Sequence, residues 1–156
     1  MNQSRRNLLR ASSGATVMAL ATSAGIFKSS NLYAAEWNKA AFDTKSLQDT
    51  VKAFGGAAAV ESQDITITSP DIAENGAVVP VSVSSKLGKT ESISILVEKN
   101  PNALAAAFDI PGGTESFIST RVKMGQTSNV YALVKADGKY FFATKEIKVT
   151  LGGCGG

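Results

Sequence analysis

A two-residue rhythm of apolar side chains sets in after Gly56 and never gives way to a helical one. Ile65 and Ile67 alternate with polar neighbours in QDITITS, as do Val79, Val81 and Val83 in VVPVSVSS and Ile93, Ile95 and Val97 in SISILVE. Ile118, Thr120 and Val122 alternate with Ser119, Arg121 and Lys123. Successive side chains of a strand point to opposite faces, so this pattern marks sheets with one face buried. NVYALVK is apolar on both faces, which predicts a central strand. Asp137-Gly138, between it and KYFFATK, is a two-residue hairpin turn. Ile147, Val149 and Leu151 predict a last strand. Pro80 has no N–H to offer a ladder and is expected at a sheet edge or a bulge.

About seven short strands result, separated by turn signals such as AENG, NPNA and PGG. No helical pattern lies between consecutive strands, which excludes a doubly wound parallel sheet. The expected fold is all-β, an immunoglobulin-like antiparallel β-sandwich. One short helix is expected ahead of it, within residues 37–56. Asp43 or Thr44 caps its start, Leu47, Val51 and Phe54 share a face, and Gly55-Gly56 stops it.

The formal charge of +3 belongs to the N-terminal segment. Residues 1–35 hold Arg5, Arg6, Arg10 and Lys28 and no acid, which leaves the remainder with twelve basic residues against thirteen acids. A nearly neutral domain is not built to hold nucleic acid by counterion release. Ser4-Arg5-Arg6-Asn7-Leu8-Leu9-Arg10 resembles a twin-arginine export signal, and a weakly apolar stretch over 11–27 follows. That stretch is too short and too polar for a permanent membrane anchor. Residues 1–35 therefore read as a signal peptide cleaved between Ala34 and Glu36, residues 36–151 as the domain, and the bacterial periplasm as the address.

The chain has no histidine and one cysteine. The commonest general base is absent, and a single thiol cannot build a zinc or iron–sulfur site. No nucleophile-elbow, phosphate-loop or dinucleotide motif is present. No metal or organic cofactor is expected, and the chain does not read as an enzyme acting alone.

The single cysteine lies in VTLGGCGG. An odd cysteine in an exported protein flags intermolecular pairing or a reactive thiol. Gly152, Gly153, Gly155 and Gly156 flank Cys154, so the segment 152–156 carries no side chain but the sulfur. From Leu151, three extended residues reach roughly 10 Å, at about 3.3–3.6 Å each. That suffices to insert a thiol into another protein's cleft while the domain stays outside.

PDIAENGAVVPVSV (70–83), NPNALAAAFDIP (100–111), STRVKMGQTSNVYALVKADGKYFFATKEIKVTLGGCGG (119–156) and the leader together resemble SoxY, the substrate-carrier subunit of the periplasmic sulfur-oxidation system. Ala103 departs from the pattern, where a second proline after Pro101 is expected. The resemblance implies that Cys154 is the site of covalent attachment and that Gly152, Gly153, Gly155 and Gly156 give a swinging arm its freedom. It implies loading with thiosulfate by a haem-containing partner enzyme and release of sulfate by a hydrolase. It further implies oxidation of the remaining sulfur by a sulfane dehydrogenase in some systems, and a heterodimer with SoxZ. Arg121, Lys123 and Tyr131 are candidate partner contacts.

Other readings are weaker. A ubiquitin-like sulfur carrier also ends in Gly-Gly but needs ATP, which an exported protein does not meet. Prenylation needs a cysteine fourth from the end. A periplasmic immunoglobulin-like binding module with an incidental cysteine is the alternative from another class.

Overall fold

The computed structural model describes residues 38–150. Among these residues two short helices, α1 (Lys39–Phe42) and α2 (Leu47–Ala53), precede nine strands. These are β1 (Ala59–Glu61), β2 (Ile65–Thr68), β3 (Ile72–Ala73), β4 (Val79–Ser85), β5 (Thr90–Val97), β6 (Leu104–Asp109), β7 (Phe117–Val122), β8 (Ser128–Ala136) and β9 (Lys139–Val149). The larger sheet has the order β1-β9-β8-β5-β6, with β3 added beside β9, and the smaller has the order β2-β4-β7.

The two sheets enclose the main core. Val79, Val81 and Val83 on β4 meet Ile93, Ile95 and Val97 on β5, Val130, Ala132 and Val134 on β8, and Ile147 on β9. All ten are fully buried. Burying one such aliphatic side chain is worth roughly 1.5–3 kcal/mol, so the alternating positions dominate the driving force. The all-β, immunoglobulin-like sandwich expected from the alternation is the fold observed.

The other face of the larger sheet is also covered, which explains the doubly apolar NVYALVK. Tyr131 and Leu133 of β8, with Leu96 of β5 and Tyr140 of β9, pack under Ala41, Leu47 and Val51 of the helices. β8 lies between β9 and β5, as its composition requires.

Where one helix was expected there are two, and neither Asp43 nor Thr44 is an N-cap. Asn38 caps α1, its Oδ1 accepting the Ala41 N–H at 3.1 Å. Ser46 caps α2, accepting the Asp49 N–H at 3.1 Å and donating to Asp49 Oδ2 at 2.7 Å. Asp43 ends α1 instead, and the Thr44 hydroxyl bonds Ala41 O and meets Thr50 Oγ1. The glycine stop holds as predicted: Gly55 has φ +82°, and its N–H and that of Gly56 bond Lys52 O and Val51 O. At Gly56 a Cβ would lie 2.6 Å from Tyr140 Cε2 and 2.8 Å from Val51 Cγ1, so the close approach excludes any side chain.

The strand inventory differs in three ways. KYFFATK and the expected last strand are one eleven-residue strand, β9, which ends at Val149; Leu151 lies outside the described residues. β1, β3 and β6 were not evident, because two are only three and two residues long and LAAAFD offers alanines in place of β-branched side chains. The sandwich is also not purely antiparallel: β1 and β3 both run parallel to β9, along the same edge, with β2 detouring to the other sheet between them. Pro80 sits on β4, the middle strand, contrary to the edge or bulge expected. It is tolerated because β2 pairs only Ser82–Ser85, so beside Pro80 one flank of β4 has no strand partner. The Asp137-Gly138 turn has positive φ at both positions, 49° and 72°, as its hairpin type demands.

Candidate functional site

Cys154 and Gly152, Gly153, Gly155 and Gly156 lie outside the described residues, as do Arg5 and Arg6. What the structure describes is the point from which the cysteine-bearing segment departs. β8 pairs with β9 only as far as Ser128 opposite Ile147, so residues 148–150 overrun their central neighbour. On the outer edge β3 takes over. The Lys148 N–H donates to Asp71 O at 2.9 Å and the Thr150 N–H to Ala73 O at 3.1 Å. The intervening N–H, of Val149, points the other way and donates to Thr127 Oγ1 at 3.0 Å. A side-chain hydroxyl stands where a strand carbonyl would otherwise be.

Gly76 completes this collar. Its carbonyl accepts the Met124 N–H at 2.7 Å. A Cβ there would overlap the Met124 carbonyl oxygen and come within 2.9 Å of Val149 Cγ1. The Lys145 ammonium braces β3 from behind, 2.9 Å from Asp71 Oδ1 and 2.7 Å from Ser69 O. Beside the collar lies an open recess of about 430 Å³ lined by Lys99, Gly125, Gln126, Thr127 and Val149. Next to it Asn100 joins two loops, donating to Lys123 O at 2.7 Å.

The perturbed titrating groups are elsewhere. Glu91 is held below the usual carboxylate range by a hydrogen bond from Lys135 and one from the Gly138 N–H, and Lys135 is raised in return. They sit beside the Asp137-Gly138 turn, at the other end of β9, roughly 30 Å from the collar at about 3.3 Å per residue. Burial raises the Tyr131 and Tyr140 hydroxyls; Glu98 adds to the first, accepting from Tyr131 at 3.2 Å. Among the described residues no three His, Cys, Asp or Glu side chains gather as a metal site. Among them, too, no helix is long and apolar enough to cross a membrane.

Arg121, Lys123 and Tyr131 do not form one contact patch. Arg121 is exposed on the outer face of the smaller sheet, while Tyr131 is half-buried under the helices on the far side of the larger one. The collar residues Ala73, Gly76 and Thr127 escaped the sequence reading. AENG carried a signal as a turn, but nothing local places it against Val149.

A family model described as Sulfur oxidation protein SoxY matches residues 50–154. Among solved structures, the sulfur carrier protein SoxY from Chlorobium limicola f thiosulfatophilum is 38% identical with a TM-score of 0.61, and the match covers 67% of this chain and 96% of that one. A superoxide reductase (neelaredoxin) from Ignicoccus hospitalis is 21% identical with a TM-score of 0.49, covering 56% of this chain and 81% of that one. None of the curated proteins searched matches the chain.

Proposed function

The chain belongs to the SoxY family of sulfur oxidation proteins, and on that basis we propose that it is a covalent sulfur carrier acting through Cys154. The observation that carries this reading is that the family match runs through the arm to Cys154 itself. The sandwich supports it by delivering β9 to a braced end at Thr150, directly ahead of that segment.

In this reading residues 1–35 direct export to the periplasm through Arg5 and Arg6, residues 36–151 form the carrier domain, and residues 152–156 form a swinging arm. A haem-containing partner takes two electrons as the Cys154 thiolate and thiosulfate join in an S–S bond, giving Cys–S–S–SO₃⁻. A hydrolase then adds water across the S–S bond to the sulfonate group. Sulfate and a proton leave, and Cys–S–SH remains. Where a sulfane dehydrogenase is present, that outer sulfur is oxidised for a second hydrolysis. Only a few per cent of an ordinary exposed thiol is thiolate at pH 7, so activation falls to the partner enzymes. Covalent attachment keeps the intermediate at high effective concentration at each site in turn. Glycine on both sides of Cys154 leaves only the sulfur to pass a narrow entrance. SoxZ is the proposed partner subunit.

The test is a non-reducing intact mass of the mature protein from cells grown with thiosulfate. Adducts on Cys154 differing by a sulfur atom or a sulfonate group, removable by reductant, are expected. Cys154→Ser should keep the fold and lose every adduct. A clean thiol under all growth conditions overturns the reading.

A further inference from the structure

The N–H groups of residues 148–150, at and just past the end of β9, alternate between two different supports. Those of Lys148 and Thr150 go to main-chain carbonyls of Asp71 and Ala73, while that of Val149 goes to one side-chain oxygen, Thr127 Oγ1, because β8 begins only at Ser128. A strand held on one edge only can pivot about that edge; held on both it has a defined direction. Thr127 is itself placed by a firm neighbour. The next residue, Ser128, is buried, and its Oγ accepts the Lys99 N–H at 3.0 Å.

We propose that Thr127 is a positioning residue for the carrier arm: by accepting the Val149 N–H it completes a two-sided clamp that sets where and in which direction the chain leaves Thr150. This rests on the carrier reading above. A thiol on a short tether spends a share of its time at any one point that depends on where the tether starts and which way it leaves. Fixing where and how the chain leaves Thr150 sets the point from which the carrier thiol is offered to a docked enzyme. Thr127 acts through the main chain of Val149, so its effect is on delivery and not on reactivity.

The experiment compares Thr127→Val, which keeps the shape and removes the acceptor, with Thr127→Ser, which keeps the oxygen, in the full-length mature protein. Hydrogen exchange at Val149 should quicken about tenfold in Thr127→Val, in line with loss of one hydrogen bond, and return in Thr127→Ser. With thiosulfate and the purified haem-containing loading enzyme, Thr127→Val should show a several-fold lower kcat with KM for the carrier unchanged, because the docking surface is intact. Alkylation of Cys154 by iodoacetamide should proceed at the wild-type rate, since a small reagent can approach from any side. A wild type that loads normally alongside an equally active Thr127→Val overturns the clamp alone. Equal loss in Thr127→Ser overturns it as well, because the hydroxyl would not be the cause. A wild type that takes no sulfur at all sinks the carrier reading and the arm's purpose with it.

Discussion

Gly76→Ala should be among the most damaging single-methyl additions in this protein. Gly76 sits between β3 and β4, with its carbonyl bonded to the Met124 N–H at 2.7 Å. The new Cβ would meet the Met124 carbonyl oxygen, a backbone atom, and Val149 Cγ1 at 2.9 Å. The carbonyl oxygen is a backbone atom that cannot rotate aside, Met124 being 2% exposed and anchored in the main core, and the Val149 side chain is itself packed against that core. Overpacking of this kind costs about 1–3 kcal/mol. Moving the loop to relieve it weakens the Gly76–Met124 hydrogen bond, adding about 0.5–1.5 kcal/mol. A total of about 2–4 kcal/mol follows, which for a domain of this size lowers Tm by roughly 8–16 °C. Gly88→Ala is the control, because a Cβ there meets nothing within 4 Å. It should be neutral or stabilise by up to about 1 kcal/mol through the unfolded chain. Thermal and urea unfolding of the two variants beside wild type decide the matter. A Gly76→Ala protein melting within about 2 °C of Gly88→Ala would refute the reasoning, since it would mean the collar yields freely.

Two further outcomes test the packing and the electrostatics. Leu133→Ala, at a site 1% exposed beneath the helices, should cost about 2–5 kcal/mol in urea unfolding, whereas Val60→Ala, at a site 63% exposed, should stay within about 0.5 kcal/mol. Glu91 is held below the ordinary carboxylate value by Lys135 and the Gly138 N–H, so its charge favours the folded state at neutral pH and that gain is lost as pH falls through the folded pKa. Glu91→Gln should therefore narrow the difference in Tm between about pH 7 and about pH 3; an unchanged difference would show that the pair contributes nothing to acid sensitivity.

The alternation of Val79, Val81 and Val83, of Ile93, Ile95 and Val97, and of Ile118 and Val122 was enough to fix an all-β sandwich and to say which side chains fill it. Period-two burial is a local property of the backbone, and each of those residues reports it without knowing its partner. Gly55 and the Asp137-Gly138 pair were equally legible, since positive φ at a chain reversal is a demand a short stretch can announce. Cys154 with its four glycines was conspicuous for the same reason: a thiol with no packing neighbours in sequence has few structural uses.

Tertiary structure alone decided the rest. The division of residues 39–53 into two helices did carry a local signal, Ser46 three residues ahead of Asp49, but only the meeting of α1 and α2 brings Thr44 against Thr50 Oγ1. No local pattern could pair β1 and β3 in parallel with β9, since strands of two and three residues are stabilised by the edge they join and not by their own propensity. Pro80 could stand in a middle strand only because β2 stops short of it. The collar at the end of β9 depends on Asp71, Ala73, Gly76 and Thr127, which lie 22 to 77 residues from the groups they hold, and contact at that separation exists only in the folded chain. The sequence by itself supplied the sandwich and its terminal cysteine; the fold decided where and in which direction the strand ahead of that cysteine ends.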